Sequence, residues 1–456
     1  MKTVTALLSL SVLLAVGCNK SEDKGGPDKG GPAKPADTAA PAGEKAPAPA
    51  AGGGGGVEVV IACGAVGQDS QRCEEASQAW AKKTGNKAKL VSTPTASSEA
   101  LALYQQLLAS GASDIDVMRT DVIWPGILAG FLVDLKQYSK GVEKDHFQSM
   151  IENDTVNGKL VAMPWFLDAG LLFYRKDLLE KYKEKVPTTW EELTATAKKV
   201  QDGERKAGDK DIWGFVFQGK AYEGLTCDAL EWVASYGGGT IIDADGKVTI
   251  DNPDAAAAID LAASWIGTIS PPGVLSYEEE EARGSFQSGK AVFMRNWPYA
   301  WALSQGADSK VKDKVGVVPL PKGDRPNGKP AAALGGWNLS VSKFSKHPAE
   351  AADLVMYLTG PEEEKRGAIK YGLHPTLPAI YDDKEILDAN PHFKDLLPVF
   401  KSTVPRPSTP TGEKYNQVSS EFWNAVHTVL AKQKSGKDSL AALKTKLESM
   451  QKGGKW

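Results

Sequence analysis

The run Arg295-Asn296-Trp297-Pro298-Tyr299-Ala300-Trp301 places three large aromatic residues, a proline and a cation in seven positions, directly after the apolar Ala291-Val292-Phe293-Met294. The aromatic spacing fits neither strict strand alternation nor a helical stripe, so a packed face alone does not account for it. Flat aromatic faces beside polar groups are what a pyranose needs, because its C–H faces are apolar and its hydroxyl rim is polar. The competing reading is a core corner between a strand and a helix. Two carboxylates, Asp121 and Asp168, follow apolar strand-like runs. In open α/β sheets, ligands bind beyond the carboxyl ends of strands. A carboxylate there can accept from two neighbouring sugar hydroxyls, or it can cap the next helix or turn. A glycosidase acid–base pair is the third use, and it requires about 5–10 Å between the carboxyls, a distance that sequence does not supply.

Other chemistries find no support. The segment from Gly284 to Lys290 imitates a phosphate-binding loop, but Ala291 stands where the magnesium-binding hydroxyl belongs. Its predicted order of helix, turn and strand is also the reverse of that motif, so a helix stop at Gly289 explains the glycines. The five histidines are scattered without ligand spacing, which points to no metal site and no cofactor. No G-x-S-x-G elbow occurs. Cys227 reads as a small buried hydrophobe. The acidic run from Glu278 to Glu281 reads as a solvated helix face.

With 456 residues the chain has room for two or three domains. A net charge of −3 gives no electrostatic reason to expect nucleic acid. Met1-Lys2 followed by an apolar stretch from Ala6 to Val16 reads as a targeting segment, too short for a typical membrane span. It ends Leu14-Ala15-Val16-Gly17-Cys18, which resembles a bacterial lipoprotein signal. That resemblance implies cleavage after residue 17, lipid on Cys18, and an exported protein anchored to a membrane on its periplasmic or cell-surface side. Residues 19–56, rich in Pro, Ala, Gly and Lys, cannot bury enough apolar surface to order and read as a spacer. Export makes Cys63 and Cys73 candidates for a disulfide.

The folded part begins at Val57 with an apolar strand. Helices are predicted over about 70–84 and 98–109, with strands near 89–91 and 116–120. Further strands are predicted near 160–164, 168–174, 213–217, 291–294, 314–321 and 334–341. Helices fill most of the intervening and C-terminal segments, apart from a Pro-rich loop at 405–410. The pair Thr189 and Glu192 has capping-box spacing. Strands alternating with helices predict an α/β fold built on mostly parallel sheets.

Several blocks in order resemble the extracellular solute-binding proteins of ABC sugar importers. The first is Met163-Pro164-Trp165-Phe166-Leu167-Asp168-Ala169-Gly170, continuing to Leu179. The blocks from Gly214 to Leu225, from Arg295 to Trp301, from Leu334 to Trp337 and from Val404 to Pro407 are similar to the trehalose/maltose-binding proteins. The likeness implies a two-lobed clam-shell: 57–163 plus 321–358 as lobe one, and 164–320 plus 359–456 as lobe two. It implies a sugar in the cleft, a permease partner and a monomer. Its cleft positions fall on Asp121, Asp168, Trp297, Tyr299, Gly335, Gly336, Trp337 and Arg406. Gln68 replaces a Glu of those relatives and Phe166 a Tyr, and an arginine they carry on the helix near 98–104 is missing. The implied function is capture of a trehalose- or maltose-like disaccharide, with a glycoside hydrolase or a glycan-binding lipoprotein outside transport as the alternatives.

Overall fold

The computed structural model describes residues 56–451 and 453–456. The expected signal peptide, Cys18 and the spacer short of Gly56 lie outside the described residues.

Two sheets organise the fold. The first contains β1 (Glu58–Cys63), β2 (Lys87–Ser92), β3 (Val117–Asp121), β4 (Met163–Ala169) and β9 (Leu334–Val341), in the order β2-β1-β3-β9-β4. The second contains β5 (Leu171–Arg175), β6 (Trp213–Val216), β7 (Ala291–Asn296) and β8 (Val315–Pro319), in the order β8-β5-β7-β6. β1, β2 and β3 run parallel because the helices Asp69–Thr84 and Ser97–Ala109 carry the chain back between them. β9 is antiparallel to both β3 and β4. In the second sheet β6 and β7 are parallel, while β5 is antiparallel to both β7 and β8. The chain therefore has the expected two-lobed α/β architecture, with mixed pairing in each sheet because β9 and β5 arrive through crossings between lobes.

The chain crosses three times. The first crossing is Gly170, the single residue between β4 and β5. A β-carbon there would sit 2.0 Å from Glu231 Oε1 and 2.6 Å from Arg295 Nη2, so glycine is what lets the backbone pass this ion pair. The other two run side by side, with Ala333 and Val404 joined as a parallel bridge. These pairings move the expected lobe limits. Residues 164–169 belong to lobe one, since β4 pairs along β9. Residues 321–333 lie on lobe two, where Lys322 pairs with Thr189 and Gly323 N–H donates to Ser235 O. The helix Pro361–Tyr371 packs on lobe one, where Arg366, Lys370 and Tyr371 all contact the Glu75 carboxylate of the helix Asp69–Thr84. The expected C-terminal segments are largely helical, with 359–456 placed on lobe two.

Local features follow their residues. Thr189 and Glu192 form the capping box, and Gly289 takes a left-handed φ of 81° after the helix Glu279–Gln287. Cys63 and Cys73 are bonded, and Cys227 is free and buried. The loop expected over 405–410 carries one helical turn, Ser408–Thr411. Among the described residues, no helix is long and apolar enough to cross a membrane.

Lobe one also buries a titrating cluster. Glu364 accepts from Thr376 N–H at 2.7 Å and from the Thr376 hydroxyl, which in turn contacts His146 Nδ1 at 2.7 Å. Burial pushes the Glu364 carboxyl up to about 8, against the Thr376 hydrogen bonds and the charge of Arg72. A carboxyl raised in the folded state adds stability below its unfolded pKa of about 4.3, and that stability is lost as pH rises through 8. Glu364→Gln should therefore flatten the pH dependence between about pH 5 and 8, where the wild type loses on the order of 1 kcal/mol per pH unit from this group. Urea denaturation midpoints across that window check it, and parallel wild-type and variant profiles would refute it.

Candidate functional site

The carboxyl ends of β3 and β4, the start of β9 and the end of β7 converge on one cleft between the sheets. Its lining includes Asp121, Phe166, Asp168, Trp297, Tyr299, Gly335, Gly336, Trp337 and Arg406. Nine of the ten residues singled out from sequence thus come together. The tenth, Gln68, precedes the helix Asp69–Thr84, bonds to Gln71 at 3.3 Å, and borders a small adjoining pocket with Arg72 and Tyr299.

Trp297 follows β7 from lobe two. The Arg295 guanidinium carbon lies 3.9 Å from its ring centroid, and its indole N–H donates to Glu279 Oε1 at 3.3 Å. Its ring reaches lobe one, because a β-carbon on Gly335 would lie 2.9 Å from Trp297 Cζ3 and 3.1 Å from Asp168 Cβ. Gly336 has φ of 128°, and a β-carbon there would be 2.6 Å from Phe166 O. Glycines at the start of β9 are thus required both by close approach and by backbone conformation. Tyr299 is half-buried, and its hydroxyl donates to Glu280 Oε1 at 2.7 Å. Trp301 is half-buried against His392, with ring centroids 4.5 Å apart, and packs beside the core of the second sheet.

Trp337 lines the same cleft with part of its ring already engaged. The Arg119 guanidinium carbon sits 3.3 Å from its ring centroid, and Trp124 meets it edge-on at 5.5 Å. One indole face is therefore already occupied by a cation. Arg119 itself is held by Asp69 at 2.7 Å.

The two carboxylates differ. Asp121 accepts from Arg406 Nη2 at 2.6 Å and from Ile123 N–H at 3.2 Å, so it both caps its turn and pairs with the arginine. Asp168 Oδ1 is buried without a partner. Burial raises the Asp168 carboxyl well above the usual carboxylate range. Asp69 and Asp121 push it further up, while Arg119 opposes them. A carboxyl driven toward its protonated form can donate as well as accept. Glu279 is also raised by burial, against hydrogen bonds from Tyr222 and Trp297.

The acidic run is not a solvated face. Glu278 binds Lys220 and accepts from Thr95 Oγ1 across the cleft at 3.1 Å, Glu279 holds Tyr222 and Trp297, and Glu280 holds Tyr299. Glu281 alone of the four is exposed. Sequence reasoning missed Asp69, Arg119, Glu223 and Glu279. Arg119 did carry a signal, as a cation inside the apolar strand run 116–120.

Residues 68–365 match the family model for the bacterial extracellular solute-binding proteins. A protein of Deinococcus radiodurans described as "Probable ABC transporter-binding protein" is 50% identical over 409 residues, 89% of this chain and 96% of that one. The structure of maltose-bound T. maritima MalE3 aligns with a TM-score of 0.81 at 40% identity, covering 86% of this chain and all of the other. The GacH receptor of Streptomyces glaucescens shares the fold, with a TM-score of 0.75 at 23% identity over 87% of this chain and 98% of the other. The matched region carries the whole cleft except Val66, Leu373 and Arg406, and a family of solute-binding proteins removes the hydrolase alternative. The chain belongs to the bacterial extracellular solute-binding proteins, as a binding protein and not an enzyme.

Proposed function

We propose that this protein captures a disaccharide of the maltose or trehalose kind in its inter-lobe cleft and delivers it, as a lipid-anchored monomer, to an ABC importer. The observation that carries this reading is the shared cavity of the Trp297 indole and the unpartnered Asp168 Oδ1. Together they offer an apolar face and a hydroxyl partner. The 40% identity to a maltose-bound structure and the 50% identity to an ABC transporter-binding protein support the substrate class and the transport role.

The cleft volume of about 60 Å³ is far below the roughly 300 Å³ of a small-molecule site. A disaccharide therefore needs the lobes further apart than they stand here, and contacts to both lobes then favour the arrangement that closes around it. Thermal-shift screening against mono- and disaccharides tests the reading. Maltose or trehalose should raise the melting temperature; no shift with any sugar would overturn it. Cys18→Ala should abolish membrane retention of the expressed protein.

A further inference from the structure

Glu223 opens the helix Glu223–Ser235, whose apolar side packs in the core around the second sheet. Its carboxylate is buried among three partners. Oε1 accepts from Arg406 Nη1 at 2.9 Å and from the Tyr415 hydroxyl, and Oε2 accepts from Ser419 Oγ at 2.6 Å. Arg406 in turn pairs with Asp121, which ends β3 in the opposite lobe and accepts from Arg406 Nη2 at 2.6 Å. Arg406 Nη2 also reaches Leu334 O at 3.4 Å, at the start of β9. Both terminal nitrogens of Arg406 are thus held by protein. Its Nε is buried without a partner in a side chain that lines the cleft.

A guanidinium is planar, so fixing both Nη atoms fixes the direction of the Nε–H. Asp121 meets both Nη atoms, but unequally, Nη2 at 2.6 Å and Nη1 at 3.4 Å, so with Asp121 alone the fork could turn to engage both carboxylate oxygens through Nε and one Nη. The opposing pull of Glu223 prevents that turn. We infer that Glu223 is a positioning residue that ties lobe two to lobe one beneath the ligand and keeps the Arg406 Nε–H free as a donor to a ligand oxygen. This rests on the cleft being the sugar site.

Glu223→Gln preserves shape and hydrogen-bonding capacity while removing the charge. Calorimetry should show at least a tenfold loss of affinity for whichever of maltose and trehalose the wild type binds, with the circular dichroism spectrum unchanged. Small-angle scattering of the ligand-free variant should show an increased radius of gyration. Trp190→Phe, which removes the indole donor to Ser235 Oγ at 2.8 Å in the lobe-two core, controls for destabilisation alone and should leave affinity within twofold. Affinity within twofold for Glu223→Gln overturns the positioning role, and an unchanged radius of gyration overturns the tie between lobes. If the wild type binds neither sugar, the proposed function falls while the scattering comparison still decides the tie.

Discussion

Arg295→Met is expected to cost about 3–5 kcal/mol of stability, the range for stripping one partner from a buried ion pair. Arg295 has no solvent exposure. Its Nε and Nη2 donate to the two oxygens of Glu231 at 2.8 and 2.5 Å, its Nη1 donates to Gln218 at 3.0 Å, and Asp228 Oδ1 lies 3.0 Å from Nε. Removing the guanidinium leaves Asp228 and Glu231 facing each other in the interior, where burial already pushes the Asp228 carboxyl well above its ordinary range. The damage extends to two inter-lobe crossings. Glu231 Oε1 accepts from Ala333 N–H at 3.0 Å, and Gly170 passes against the same ion pair. Urea denaturation measures the loss. Adding Asp228→Asn and Glu231→Gln should recover much of it, because the buried charges then no longer need a counter-ion. A single variant as stable as the wild type would show that the cluster is not holding the second lobe together.

The contrast between Arg295 and Trp297, two positions apart, shows how much of the site was legible in sequence. The unusual density of aromatics around Trp297 was visible, and so was the proline that ends the strand. The role of Arg295 was not, since its partners Gln218, Asp228 and Glu231 come from a strand end and a helix that only the fold brings to β7. The same limit explains the acidic run. Glu278 to Glu281 has the composition of a solvated face, but Thr95, Tyr222, Trp297 and Tyr299 arrive from other segments to cover three of the four. Asp168 was legible because strand ends in α/β sheets are privileged positions. Arg119 carries a signal of its own, since a cation inside a strand buried throughout its length demands a partner. The strands and most helices follow from local pattern. Which lobe the helix Pro361–Tyr371 joins depends on its pairing with Glu75, about 290 residues earlier in the chain, and no local pattern carries that.

Trp297→Ala should weaken sugar binding by about 2–4 kcal/mol, roughly 30- to 1,000-fold, the range for a buried aromatic hot spot. The indole is held on one side by Arg295 at 3.9 Å and at its nitrogen by Glu279 at 3.3 Å, so its position is set before a ligand arrives. A preorganised ring loses little entropy on binding, which makes its apolar face worth more than that of a free side chain. Trp337 also carries a cation on one face, Arg119 at 3.3 Å, but meets Trp124 edge-on at 5.5 Å as well, so more of its ring is already spent on protein contacts and it should lose less on the same replacement. Trp297→Phe keeps an aromatic face but removes the Glu279 contact, and should fall between wild type and Ala. Calorimetry with the sugar that most stabilises the wild type measures all three variants. Circular dichroism confirms that each is folded, and unchanged affinity in Trp297→Ala would take the indole out of the ligand's path. The ranking also separates stacking from simple cleft filling: if bulk alone mattered, Trp297→Leu would match Trp297→Phe, whereas stacking on a sugar face requires the phenyl variant to bind more tightly.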